Sequence, residues 1–187
     1  LWRGRIQVAG LVPVLAAFLL WLAADRPMLL VSGDGRLLGL EGPEGRALSA
    51  AKGGGFAAEN WLQNDGDLAA QDIAAARPGF EGGKGERWFD LAGLRAVALS
   101  GKGAAAKLPE ICISADLVIL ATKAEAVPQG CPLIDQAVLS QTGPLAVWRE
   151  GDGLRLEKTK GADRLWSPPS KTVDLPDLNR KVELASQ

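Results

Sequence analysis

From Ile6 to Ala24 the chain runs IQVAGLVPVLAAFLLWLAA, nineteen residues with no charge and a single polar side chain, Gln7. As a helix this stretch would be roughly 28 Å long, close to the hydrocarbon thickness of a bilayer. Trp2 and Trp21 stand near its ends, where amphipathic rings favour the membrane–water interface, and Arg3 and Arg5 precede it. Basic flanks resist translocation, so residues 1–25 are expected to form one transmembrane helix with a cytoplasmic basic flank, the remainder lying on the far side. A signal peptide, with Leu22-Ala23-Ala24 as a weak cleavage sequence, and a buried helix are the competing readings. The apolar run exceeds the usual signal core. A segment of a larger membrane protein also explains why the chain opens on Leu. Pro13 would kink a spanning helix, which neighbouring spans tolerate.

The rest of the 187 residues suits one domain, expected over 26–167, with a polar, proline-punctuated and poorly ordered tail over 168–187. Without Arg3 and Arg5 the chain carries 19 basic side chains against 22 acidic ones, a net of −3. That balance gives no general attraction to nucleic acid. Histidine is absent. Zinc hydrolase sites, Ser-His-Asp triads and Cys-His dyads therefore cannot be assembled from this chain in their usual form, because they depend on an imidazole as ligand or near-neutral base.

The segment LLVSGDGRLLGL (29–40) places Gly33-Asp34-Gly35 between two apolar runs. A phosphate-cradling loop would need a helix start just after it, with Lys-Ser/Thr or a third spaced glycine, and neither is present. A two-residue Asp34-Gly35 hairpin turn, with positive φ at both positions, joins Met28–Ser32 to Arg36–Leu40. Gly42–Gly45 forms the next turn, and Gly151-Asp152-Gly153 reverses Leu145–Arg149 into Leu154–Lys158 in the same manner. Phe56–Gln63 is a short helix with Phe56, Ala57, Trp61 and Leu62 inward, and Leu68–Ala76 is a second helical piece. Arg87–Leu91 and Leu94–Ser100 are strand-like. Pro109–Ala115 is a small helical or extended segment before Asp116–Thr122, whose continuous β-rich run marks a buried strand. Leu133–Gln141 is expected to be helical. Strands alternating with helices and a terminal hairpin predict an α/β class: a small mixed-sheet layered domain.

Two side chains are candidates for covalent chemistry, Cys112 and Cys131. Beyond an inner membrane the compartment is oxidising, which favours a disulfide between them. The alternative is a pair of buried small hydrophobes. A metal site is poorly supported, since two thiolates without histidine would need added carboxylates at a spacing that matches no zinc pattern. Asp65 and Asp67 fall in Asn-Asp-Gly-Asp, but Leu and Ala occupy the positions that complete a calcium loop, so a solvated turn and helix cap is expected. Asp90, Asp116 and Asp135 are further carboxylates of the kind that does acid–base work, and capping at the ends of secondary elements accounts for Asp116 and Asp135. No catalytic residue, cofactor-binding residue or metal ligand is assigned.

Taken together, Ala24-Asp25-Arg26-Pro27 leading into a hairpin, Phe56-Ala57-Ala58-Glu59-Asn60-Trp61-Leu62, Cys112 through Ile119, Cys131 through Asp135, Leu139, Gly143 and Arg164-Leu165-Trp166 resemble the region after the last membrane span of ComEC-type competence proteins. The resemblance covers roughly residues 24–167. It implies a reduced metallo-β-lactamase-like fold on the periplasmic side of an inner-membrane channel protein for DNA uptake in natural transformation. The partners it implies are the membrane, single-stranded DNA, other competence proteins and the remainder of a larger membrane protein. The family's His-x-His-x-Asp-His metal pattern is missing here, so the expected domain is non-catalytic. A residual metal-dependent hydrolase, or a membrane-tethered binding module unrelated to competence, are the alternatives.

Overall fold

The computed structural model describes residues 10–151 and 153–160. The expected basic flank at Arg3 and Arg5, the first residues of the apolar run, Asp152, Arg164-Leu165-Trp166 and the tail lie outside the described residues. Within them, α1 (Leu11–Leu22) carries the apolar run and leaves Leu15, Phe18, Leu20 and Trp21 exposed. At 1.5 Å per residue it is about 18 Å long. Among the described residues no helix is long and apolar enough to cross a membrane.

The remaining chain is a mixed α/β domain with two sheets. One is antiparallel, built from β1 (Leu29–Val31), β2 (Leu38–Leu40) and β3 (Ala47–Leu48) with β8 (Leu145–Glu150) and β9 (Gly153–Lys158), in the order β3-β2-β1-β8-β9. The other holds β4 (Glu86–Leu91), β5 (Leu94–Leu99), β6 (Leu117–Leu120) and β7 (Leu133–Ile134) in sequence order; β4 and β5 are antiparallel, while β5-β6 and β6-β7 are parallel. Between the antiparallel sheet and β4 lie α2 (Gly55–Asn64) and α3 (Gln71–Ala75), and α4 (Leu108–Ser114) carries the β5-to-β6 crossover. A last helix, α5 (Gln136–Thr142), precedes β8.

Side-chain alternation along the strands sets the layers. Leu94, Ala96 and Ala98 of β5 and Leu117 and Ile119 of β6 join Leu29, Val31, Leu38, Leu145 and Val147 in a core between the two sheets. The intervening Val97, Leu99, Val118 and Leu120 turn outward against Leu108 and Ile111 of α4. Leu37 and Leu48 face the other way, onto Ala58, Leu62 and Ala74 of α2 and α3. The order is therefore helices, sheet, sheet, helix. β6 is buried on both faces, which is why its sequence is a continuous apolar run.

Several local expectations are corrected. Among the described residues Ala92 is the one non-glycine with positive φ (54°), so Asp34 does not occupy that region. Ser32 N donates to Leu37 O, enclosing a four-residue loop in which Gly35 alone takes positive φ. The turn with positive φ at both central residues is Ala92-Gly93, between β4 and β5, where Gly93 N donates to Asp90 Oδ1 at 3.1 Å. Leu133–Gln141 is not one helix. Leu133 and Ile134 pair with Val118 and Ile119, and the helix starts only after Asp135, whose Oδ1 accepts from Val138 N at 3.0 Å as its N-cap. Phe56 does not enter the core and is 84% exposed, because the α2 face that meets the sheet is the one carrying Ala58 and Leu62.

Candidate functional site

Turns from both sheets meet at one edge and enclose a cleft of about 940 Å³. Its walls come from the β1–β2 turn (Asp34–Arg36), the β3–α2 loop (Ser49–Gly54), the segment before β4 (Lys84, Gly85) and the ends of β5 and β6 (Ser100–Lys102; Ala121, Thr122). The ends of β5 and β6 concerned are their carboxyl ends, the edge at which parallel strands of α/β sheets commonly bind ligands.

Close backbone packing forms this edge and accounts for its glycines. Ser100 N donates to Gly85 O at 2.8 Å, which brings the Lys84 segment beside the Lys102 turn. A Cβ on Gly85 would lie 2.8 Å from Ser100 O, and its φ of +90° is strained for any other residue. On the opposite wall a Cβ on Gly35 would meet Leu139 Cδ1 at 3.0 Å and Ala121 Cα at 3.3 Å, so the β1–β2 turn sits directly on the end of β6. Gln71 Nε2 donates to Ala50 O at 3.0 Å and Gly53 O at 2.7 Å, holding the Lys52 loop to α3. Arg87 Nε donates to Ser49 O at 3.2 Å, tying β4 to the same loop.

The cleft is cationic. Arg36, Lys52, Lys84, Arg87 and Lys102 line it against one carboxylate, Asp34. Asp34 is itself engaged: its Oδ1 accepts from Ser32 Oγ at 2.6 Å and Arg36 N at 3.1 Å. Some cations elsewhere sit against carboxylates, as in Arg46–Asp65, Arg77–Asp67 and Lys107–Glu86, and within the cleft Arg36 lies 4.0 Å from Asp34. Lys52, Lys84 and Lys102 are exposed and make no ion pair among the described residues. Helix α2 leaves the same wall from Gly54 without a side-chain cap, so its positive end adds to this field. The floor is made of small side chains, among them Ala98 and Ala121. Cations free of carboxylate partners over a small-residue floor are suited to an extended polyanion held by charge.

The candidates taken from the sequence are placed elsewhere. Cys112 of α4 and Cys131, before β7, have their sulfurs at bonding distance, with Cα atoms 5.2 Å apart. Asp65 and Asp67 are not a solvated turn. Asp65 accepts from the buried Arg46, and Asp67 is paired with Arg77 while also accepting from Ala69 N. The Asp116 carboxylate accepts from Arg95 N across the sheet at 3.0 Å. Among the described residues no three Asp, Glu or Cys side chains converge as a metal site would require. The cleft cations escaped the sequence analysis, yet each lysine carries a local sign: Lys52-Gly53, Gly83-Lys84-Gly85 and Gly101-Lys102-Gly103 all join a cation to glycine. Glycine beside the lysine lets the backbone turn sharply and leaves the charge projecting from a loop.

The Arg77 guanidinium beside Asp67 holds that carboxyl below its ordinary value of 3.8, outweighing the opposing effect of burial, with Ala69 N assisting. A carboxyl whose folded pKa is depressed stabilises the fold above the unfolded value and loses that contribution as pH falls through the folded one. Asp67→Asn is therefore expected to lower the urea midpoint at pH 7 and to flatten its decline below about pH 4. A decline identical to that of the parent chain would show that this pair carries none of the acid sensitivity.

No family model, no characterised protein and no solved structure matches this chain.

Proposed function

We propose that this chain is the non-catalytic periplasmic domain of an inner-membrane channel protein for DNA uptake, and that it holds the phosphates of an incoming single strand in the cationic cleft. The cleft is the observation that carries this reading. Three lysines without a carboxylate partner among the described residues and two arginines converge there, although the chain as a whole has a net charge of −1. Such a cluster opposes the average charge and concentrates attraction at one edge. The likeness of residues 24–167 to the ComEC-type region supports it, as does the layered two-sheet architecture expected of a reduced metallo-β-lactamase-like fold. The exposed apolar side chains of α1, continuous in sequence with Ile6–Gly10, support membrane anchorage next to the domain. In this reading the strand is positioned and not cut, and the small side chains of the floor leave room for a phosphate backbone.

The test is binding of the full chain, in detergent micelles, to a fluorescent oligo(dT) over a salt titration. Lys52→Glu/Lys84→Glu/Lys102→Glu is expected to reduce the slope of log K against log salt by about two, given about 0.7 per neutralised phosphate for single strands. Unaltered affinity and slope in the triple variant would remove the cleft from any role in DNA binding. Metal-dependent cleavage of the oligonucleotide by the parent chain would instead favour the hydrolase alternative.

A further inference from the structure

No packing role explains Phe56. Its ring is 84% exposed in the first turn of α2, where the sequence pattern would have placed it in the core. It lies two residues beyond Gly54 of the cleft wall, so at most about 7 Å of extended chain separates their Cα atoms. None of the cleft's own wall residues is aromatic. A site made of cations alone attracts any polyanion and does not separate single strands from duplex or from inorganic polyphosphate. Proteins that hold single strands without sequence preference add an aromatic platform on which an unpaired base stacks.

We propose that Phe56 is the base-stacking residue of this cleft, making it selective for single-stranded nucleic acid over duplex; this rests on the cleft being the strand-binding site. The phosphates lie along Lys52, Lys84 and Lys102, and one base turns outward onto the Phe56 ring. A paired base cannot do so without leaving its duplex. Gly53 and Gly54, with φ of +89° and +65°, join Lys52 of the wall to the start of the helix that carries Phe56.

The experiment compares Phe56→Ala, Phe56→Trp and the parent full chain in micelles, each with oligo(dT), a duplex of equal length and short-chain polyphosphate. Phe56→Ala is expected to bind oligo(dT) about tenfold more weakly, with unchanged salt slope and unchanged affinity for duplex and polyphosphate. Phe56→Trp should restore oligo(dT) binding. Because the ring is exposed, the melting temperature should not move. Equal weakening for all three ligands would show a general effect on the cleft and overturn the stacking role. Unchanged oligo(dT) affinity in Phe56→Ala would also overturn it while leaving the cationic site standing. Failure of the parent chain to bind any polyanion would reject the strand-binding reading itself.

Discussion

Arg46→Ala is expected to destabilise the domain by about 3–5 kcal/mol, the cost of breaking a buried ion pair, since Asp65 then keeps only the half-exposed Arg26 at 3.9 Å. Arg46 is the largest fully buried side chain among the described residues and is 1% exposed. Its Nε donates to Asp65 Oδ2 at 2.6 Å and its Nη2 to Asp65 Oδ1 at 3.3 Å, a two-pronged grip on the end of α2. Its Nη1 donates to Pro27 O and Gly39 O, both at 3.2 Å. One guanidinium thus joins the segment leaving α1, the second strand and a helix terminus. For a domain of this size the loss corresponds to a fall in melting temperature of roughly 10–20 °C. Arg46→Lys should lie between parent and alanine, because an ammonium keeps the charge but not the planar fork. The paired change Arg46→Met/Asp65→Leu should recover much of the loss, since apolar residues of similar volume remove both buried charges together. A shift of less than a few degrees in Arg46→Ala, followed by tryptophan fluorescence on heating, would show that water replaces the guanidinium at little cost.

The second large effect is that of the disulfide. Replacing Cys112 and Cys131 together by serine should reduce the unfolding free energy by about 3 kcal/mol, as the chain-entropy treatment gives for a loop of this length. The two residues are 19 apart in sequence. The loop they close contains β6, the strand buried on both faces, and the connection that starts at Ala121 and Thr122 in the cleft wall. Without the bridge that connection keeps its bond from Ala124 N to Asp135 Oδ2 at 3.0 Å, so the fold should survive with a lower denaturant midpoint. Reduction of the parent chain by dithiothreitol should produce the same drop as the double variant. Equal midpoints for the oxidised parent and the double variant would mean the bridge contributes nothing.

Much of the architecture was legible from local pattern. The buried β6, the strands β4 and β5, the β8–β9 hairpin and the helix α2 follow from apolar runs, alternation and turn residues, all of which act over a few positions; the pairing of β4 with β5 and the helical choice at α4 came from the fold. The candidate disulfide follows from an even cysteine count and an inferred compartment. Local pattern misled where two local solutions were close in energy. Asp34-Gly35 suits a two-residue turn, but packing of that turn onto Leu139 and Ala121 selects a longer loop. Leu133–Ile134 suits a helix start, but the open edge of β6 takes it as a strand, and Asp135 then caps α5.

By itself the sequence determined the absence of imidazole chemistry, the apolar run of α1, the α/β class and the strand that lies at the centre of its sheet, because composition and short-range periodicity decide these. Only the tertiary structure decided which charges meet. Arg46 and Asp65 stand 19 residues apart and become one buried pair because the second hairpin packs under the end of α2. Lys52, Lys84 and Lys102 come from three separate loops, each an ordinary solvated cation in the sequence, and they share an edge because two sheets stack face to face with those loops at the same end. Phe56 was assigned to the core by its type and left outside it by the rotation of α2, which Ala58 and Leu62 set. Burial rewards whichever face of a helix fits its sheet, and that fit is a property of the assembled layers.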